Sequence, residues 1–522
     1  MKKILSILLA MIMLQAIAAP AMAATITVPE TDKHTYAVYQ IFTGDLSNGI
    51  LSNVKWGKNG IGEEGEAVAD DVLTALEAVT NSTSNIEKLA VITEYVNLNT
   101  AAYGTVSSAD ELKDVPAGYY LIKDNADVEE NDAYTTYIVK IVSDVVITRK
   151  SDVPTVDKKI IEGTNEVVVG DYEIGDEVSY KLTGTLPENY ADYKWYKYVF
   201  HDTLSEGLTF NKDSVVVKVD GNKIENGYTL VTEGLTDGCT FEVQFEDLKK
   251  VEGVTITAAS KITVEYTATL NENAKIDGAN PNTVHLQFSN NPNYTTDKDE
   301  DGKPDGDVPM GETPDKVVEV YTTEVHIEKV DEDGNALTGA EFQITGESLK
   351  TVIIKTEEFT EDAEGDYYAL KDGTYTKTAP TVETEDKYED TTKTYKATEK
   401  TETKVVSEGV EAKAYVGEDG KLTFTGLGAG TYTITETTTP AGYNTVADIK
   451  LTIAFDETDK IFTYEWEGGA TGNTNTIEVV NMAGSLLPST GGIGTTIFYI
   501  AGAILVVGAV VVMISKKRSS EK

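Results

Sequence analysis

The sequence predicts a mostly β chain: an α+β N-terminal domain, then tandem β-sandwiches, with a single membrane-crossing helix at the C-terminal end of the precursor. Three observations carry this. Runs rich in Val, Ile, Thr, Tyr and Phe, such as Val178-Ser179-Tyr180-Lys181-Leu182, recur along the chain with turn residues between them. Helical apolar spacing is confined to 67–79 and 86–98. An apolar run from Gly492 to Ile514 is long enough to cross a bilayer, and Lys516, Lys517 and Arg518 would hold its end inside.

Residues 1–23 open on Met1-Lys2-Lys3, continue as an apolar core from Ile4 to Ala19 and close on Ala21-Met22-Ala23. A basic start, a short apolar stretch and a small-x-small site read as a secretory signal peptide, cleaved after about Ala23. Residues 24–150 form the mixed domain. Thr35 to Phe42, Ala117 to Ile122 and Tyr137 to Val142 read as strands, 67–79 and 86–98 as helices, and Ser108-Ala109-Asp110-Glu111 as a capping box.

Residues 151–316 are almost wholly strand-like, with Val178 to Leu182, Val215 to Val219 and Ile262 to Ala268 separated by turns. Regular short strands of this kind predict an immunoglobulin-like sandwich. The segment runs into an acidic linker, Asp297 to Asp307. Its Asp-x-Asp-x-Asp-Gly start is half of a calcium loop, but Val308 stands at the twelfth position, where a bidentate Glu is needed, so the linker reads as solvated. Residues 317–484 form a second sandwich. A Thr/Lys/Glu-rich stretch at about 356–407, with little apolar besides Tyr, interrupts it and reads as a long hairpin or a mobile insertion. Residues 485–522 contain Leu487-Pro488-Ser489-Thr490-Gly491, the apolar run and the basic tail.

The whole chain carries 44 Lys+Arg against 87 Asp+Glu, a formal charge of −43. That excludes nucleic acid as a partner and predicts a solvated, self-repelling exterior. Cys239 is the only cysteine, so an exported chain of this length has no internal disulfide to stiffen it. Cys239 itself reads as incidental. The sequence shows no nucleophile–base set, no metal cluster and no phosphate-binding Gly loop, so neither an enzyme nor a cofactor is expected.

Two constellations do carry chemistry. In 317–484, Lys329 and Glu436 sit in strand-like stretches at positions that face inward, and Asn481 lies in the last strand, Val479-Val480-Asn481. A buried Lys and a buried Glu are costly unless they pair or neutralise. In 151–316, Lys158 and Lys159 open the domain, Asp202 lies mid-domain in Phe200-His201-Asp202, and Asn282 begins a late strand. Adjacent strand residues face opposite sides, so only one of Lys158 and Lys159 turns inward.

Leu-Pro-x-Thr-Gly before an apolar span and a basic tail resembles the sorting signal read by sortase transpeptidases. Tyr432-Thr433-Ile434-Thr435-Glu436-Thr437-Thr438-Thr439-Pro440-Ala441-Gly442-Tyr443 resembles the E-box of pilins, and the surrounding domain resembles the collagen-adhesin B-type module of Gram-positive surface proteins. The resemblance, which covers nearly the whole chain, implies a major (backbone) pilin of a sortase-assembled pilus. It further implies internal Lys–Asn isopeptide bonds, Lys329 to Asn481 assisted by Glu436 and Lys158 to Asn282 assisted by Asp202. Lys158 rather than Lys159 matches the family's Val-x-Lys position, in Val156-Asp157-Lys158.

The resemblance also implies a sortase that cleaves after Thr490, and an acceptor Lys on the next subunit. Lys150 stands where the family's Val-Tyr-Pro-Lys places that acceptor, though Thr148-Arg149 replace Tyr-Pro, and Lys140, Lys158 and Lys159 are nearby alternatives. The implied partners are the sortase, identical subunits joined head to tail, minor or tip pilins, the peptidoglycan cross-bridge and a host surface ligand. The implied location is the cell wall. The competing reading is a wall-anchored monomeric adhesin or minor pilin.

Overall fold

The computed structural model describes residues 24–47, 50–78, 89, 91–125, 131–135, 138–141, 143–149, 152–293, 310–468 and 472–484. The expected signal peptide, Lys150, the 297–307 linker, Leu487 to Gly491 and the C-terminal apolar run lie outside these residues. Among the described residues no helix is long and apolar enough to cross a membrane. The chain divides into two compact units. The first runs to Val320 except for Asp171–Gly175 and Ile276–Gly278, which belong with Tyr321 onward to the second.

In the N-terminal part of the first unit the strand Thr35–Ser47 is central, pairing with Ile50–Trp56, Gly104–Ser107 and Gly118–Asp124. Its sequence, Thr-Tyr-Ala-Val-Tyr-Gln-Ile-Phe, is apolar at both odd and even positions, so both faces must be covered. Tyr36 and Val38 pack with Val106, Tyr120, Ile122 and Ile147 on one side, while Ala37, Ile41 and Phe42 pack with Trp56, Val68, Ile92 and Leu121 on the other. The first expected helix is Asp70–Ala78. Of the second, Val91 to Thr93 are helical, and most of its N-terminal half lies outside the described residues.

The capping box at 108–111 starts no helix. Ser107 ends one strand, and its hydroxyl accepts the N–H groups of Ala109 and Asp110 in a turn that leads into the strand Leu112–Val115. A Ser or Thr oxygen that satisfies the free amides of a helix start does the same for a tight turn, so the motif alone does not separate them.

The rest of the first unit is a two-sheet sandwich. One sheet contains, in order, Asn165–Val167, Val156–Glu162, Glu177–Gly184, Ile262–Leu270, Leu208–Val219 and Asn222–Lys223. The other centres on Tyr198–Leu204, flanked by Asn280–Ser289 and Phe241–Phe245. Ile262–Leu270 alternates buried and half-buried without a break, the period-2 signature of a strand with one face in the core. Lys316–Tyr321 pairs with Asn280 to Val284. It therefore completes this sandwich, and the change to the next unit falls at Tyr321 rather than before residue 317.

The second unit is another two-sheet sandwich. Tyr395–Val405, Thr351–Glu361, Lys421–Leu427, Thr323–Asp331 and Thr476–Asn481 form one sheet. Lys413–Tyr415, Glu341–Gly346, Gly430–Thr438, Ile449–Asp456 and Ile461–Glu467 form the other. Val325, Ile327, Phe342, Phe424, Leu451 and Val479 are among the residues that fill the space between them. Its first and last strands, Thr323–Asp331 and Thr476–Asn481, lie side by side in parallel. The Thr/Lys/Glu-rich interruption is an antiparallel hairpin of Thr351–Glu361 with Tyr395–Val405, its tip held by rings of Phe359, Tyr367, Tyr375 and Tyr395.

Candidate functional site

Val156–Glu162 presents Val156, Lys158 and Ile160 inward and Asp157 and Lys159 outward. Lys158 is thus the buried member of the pair, 1% exposed, while Lys159 sits half-buried beside Asp157 at 3.4 Å. Taking an ammonium out of water costs several kcal/mol unless partners compensate. Here the partners come from the opposite sheet. Asp202 and Asn282 are both fully buried, on the adjacent strands Tyr198–Leu204 and Asn280–Ser289.

Lys158 Nζ lies 2.6 Å from Asp202 Oδ2 and 2.5 Å from Asn282 Oδ1. Asn282 Nδ2 donates to the Tyr266 hydroxyl at 2.8 Å, and that hydroxyl donates to Asp202 Oδ1 at 3.0 Å. The four groups close a ring in which the carboxyl touches the amine directly and the amide nitrogen through a phenol. The rings of Tyr180 and Tyr266 each lie 5.7 Å from the ammonium position. Burial lowers the Lys158 amine from its ordinary 10.5 to about 8, against the opposing pull of Asp202. Burial likewise raises the Asp202 carboxyl, against Lys158. Both shifts favour the neutral amine and the protonated acid.

In the second unit Lys329 is 1% exposed, Glu436 5% and Asn481 fully buried. Lys329 and Asn481 come from the parallel neighbours Thr323–Asp331 and Thr476–Asn481, where Lys329 pairs with Val479 and Asp331 with Asn481. Lys329 and Asn481 therefore share a sheet face, one step apart on the diagonal. Glu436 reaches them from the facing sheet, in Gly430–Thr438.

Asn481 Nδ2 donates to Glu436 Oε1 at 2.8 Å. Glu436 Oε2 accepts from the Thr439 hydroxyl and the Val446 N–H, both at 3.1 Å. Lys329 Nζ donates to the carbonyls of Val330 at 2.9 Å and Val479 at 3.0 Å. Asn481 Oδ1 is buried with no hydrogen-bond partner among the described residues. A buried carbonyl left open is costly. Burial lowers the Lys329 amine to about 8, with Glu436 and Asp331 pulling the other way.

The Lys158, Asp202 and Asn282 side chains thus touch directly, whereas in the second unit Asn481 touches Glu436 and the Lys329 amine rests on backbone carbonyls of the same two strands. Tyr266 was missed from sequence, although it occupies the inward phase of Ile262–Leu270. Lys140 has its backbone in the strand Ile138–Ile141.

Residues 174–292 match the family described as Gram-positive pilin backbone subunit 2, Cna-B-like domain. Residues 387–469 match a prealbumin-like fold domain, and 483–521 match the LPXTG cell wall anchor motif. The chain is 27% identical over 399 residues to the trypsin-resistant surface T6 protein of Streptococcus pyogenes serotype M6, covering 71% of this chain and 70% of that protein. Among solved structures it is similar to the T6 backbone pilin of that organism (TM-score 0.48, 18% identity, 90% of this chain and 100% of that one). It is also similar to BcpA, the major pilin subunit of Bacillus cereus (TM-score 0.41, 15% identity, 89% and 99%).

Proposed function

We propose, for this wall-anchored structural subunit of a Gram-positive pilus shaft, a mechanism in which side-chain amines are acylated within each sandwich and between successive subunits. The observation that carries it is the contact of a buried lysine amine with a buried asparagine carboxamide beside a carboxyl group, at 2.5 Å in the first unit.

Inside the sandwich, neutral Lys158 Nζ adds to Asn282 Cγ. The protonated Asp202 stabilises the oxyanion as it develops. A proton from the amine goes to the carboxyl, and one is returned to Asn282 Nδ2, for which the Tyr266 hydroxyl is the bridge. The Cγ–Nδ2 bond breaks, the Nζ–Cγ amide forms and one ammonia leaves. Lys329, Asn481 and Glu436 follow the same balance. Each site reacts once and does not turn over, so the chain is the substrate of an assembly reaction and not an enzyme.

Between subunits, a sortase thiolate displaces Gly491 from the Thr490 carbonyl, forming a thioester. The Lys150 amine of the next subunit then takes the threonyl group and releases the thiol. The last subunit passes its threonyl group to a peptidoglycan cross-bridge amine, and minor pilins enter by the same exchange. Tension then runs from Lys150 through Lys158 to Asn282, on to Lys329, across to Asn481 and out at Thr490. The domain of 24–149 lies off that path.

Intact mass and peptide mapping test the internal step. The mature chain is expected to weigh two ammonias less than its sequence, with Lys158–Asn282 and Lys329–Asn481 as linked peptides; the full calculated mass would overturn it. Lys150→Ala tests the assembly step. The ladder of covalent multimers on denaturing gels should collapse to single chains, whereas a persisting ladder would move the acceptor to another lysine.

A further inference from the structure

The strand that turns Asp202 into the core turns His201 to the opposite face of its sheet. There His201 is paired directly with Glu242 of Phe241–Phe245. Both are more than nine-tenths buried, at 8% and 7% exposed. The loop just before that strand brings in Asp237 and Cys239. His201 Nδ1 lies 2.6 Å from Asp237 Oδ2 and 3.3 Å from Glu242 Oε1, and Cys239 Sγ lies 3.7 Å from Glu242 Oε1. One donor atom from each of the four falls within 4.8 Å of the others.

Two carboxylates and a thiol thus converge on one imidazole. The other imidazole nitrogen, Nε2, is buried without a hydrogen-bond partner among the described residues. We propose that His201, Asp237, Cys239 and Glu242 bind a borderline-soft divalent cation of the zinc class. One imidazole nitrogen, one sulfur and two carboxylate oxygens suit such an ion, whereas calcium and magnesium take oxygen alone. Tetrahedral zinc with bonds of about 2.0–2.3 Å requires donors about 3.3–3.5 Å apart. The His–Glu and Cys–Glu separations are already close to that, and the short His–Asp hydrogen bond opens as the ion replaces its proton.

The surroundings orient the donors as outer ligands orient a metal site. Asp237 Oδ1 is held by the Cys239 N–H at 3.1 Å, leaving Oδ2 for the site. Gln244 Nε2 donates to Glu242 Oε2. The His285 ring stacks on His201 at 4.8 Å and 8° and fixes its plane. Binding takes the proton from the Cys239 thiol to solvent, makes the thiolate a ligand and ties the 237–240 loop to the strand that carries Asp202. The proposal is independent of how the subunits polymerise.

The test uses the full chain stripped of metal. One equivalent of Zn2+ should bind in excess Ca2+, and Co2+ should give a thiolate charge-transfer band that Cys239→Ser abolishes. Zn2+ should also shield Cys239 from alkylation. His201→Gln, checked by mass for its intact internal bonds, should lose the same band. Equal Zn2+ binding by the Cys239→Ser chain, complete displacement by Ca2+, or alkylation at one rate with and without Zn2+ would each overturn the site and leave only diffuse attraction to an acidic surface.

Discussion

The two sandwiches place the same three functional groups in opposite arrangements. In the first unit the lysine stands on one sheet while asparagine and acid face it from adjacent strands of the other. In the second, lysine and asparagine share one sheet on parallel neighbouring strands, and the acid comes from across the core. The chemistry needs only an amine, a carboxamide and a carboxyl within reach in a dry place. Which pair shares a sheet is free to differ.

What differs is what each bond would clamp. The two bonds would enclose loops of 124 and about 150 residues, respectively. Loop-closure entropy separates those lengths by only about 0.2 kcal/mol, so size does not distinguish them. Position does. Asn282 is followed by the rest of its strand and by Met310–Glu312 and Lys316–Tyr321, all beyond the clamp. Asn481 is the last residue of the last strand, so the second clamp encloses its domain almost whole.

Removing the acids should break the comparison most severely. Asp202→Ala abolishes the bond and also strands the Lys158 amine, whose hydrogen-bond partners are Asp202 and Asn282. Breaking such a buried pair costs about 3–5 kcal/mol, and a cross-link closing about 100 residues is worth about 5 kcal/mol more. Glu436→Ala loses its own bond, but Lys329 keeps two carbonyl partners. Its folded-state loss falls mainly on the buried Asn481 amide, about 1–3 kcal/mol, with smaller losses at the part-buried Thr439 hydroxyl and Val446 N–H. Thermal unfolding of each variant, with mass confirming the missing bond, should rank Asp202→Ala as the worse. The reverse order would show that the Lys158 site is not held by its acid.

Stretching single wild-type chains between residues 150 and 490 sharpens the same contrast. The segment beyond Asn282 should peel away and release on the order of 100 Å, at about 3.4 Å per residue. The second unit should release no comparable length. A full-length release from either unit would mean that its clamp is absent.

The smallest effect is one the two sites share. In unreacted Asn282→Ala and Asn481→Ala chains each lysine is expected to keep a folded value near 8, against about 10.5 for an ordinary lysine. The unfolded chain then holds more protons between those values, so stability rises with pH across that window. The contribution is complete above 10.5 and lost as pH falls through about 8. Denaturant midpoints measured from pH 7.5 to 10.5 should climb in both variants, and a flat profile would place the amines in water.

Much of this was legible in the residues. Lys329 could be named because a cation at the inward phase of an alternating strand is anomalous, and an anomaly is a signal, whereas Lys158 was separated from Lys159 only by its match to the family's Val-x-Lys position. Tyr266 sat at an equally inward phase but gave none, since a buried aromatic is the ordinary occupant of such a position. The His201 cluster was invisible for a different reason. Its four donors are scattered between residues 201 and 242 and meet only because one strand pairs with another. Ser107 to Glu111 misled because the same hydroxyl chemistry closes turns and opens helices.

Taken by itself, the order of amino acids determined the anchor motif at 483–521 and the strand periodicity, and with it that neighbours such as Lys158 and Lys159 face opposite sides, because alternation is a local property of the backbone. Only the tertiary structure decided which strands became neighbours. It set a lysine against an asparagine 124 residues away, and it carried Lys316–Tyr321 back into the earlier sandwich. Pairing between distant strands depends on the summed burial of whole sheets, and no short stretch of sequence contains that sum.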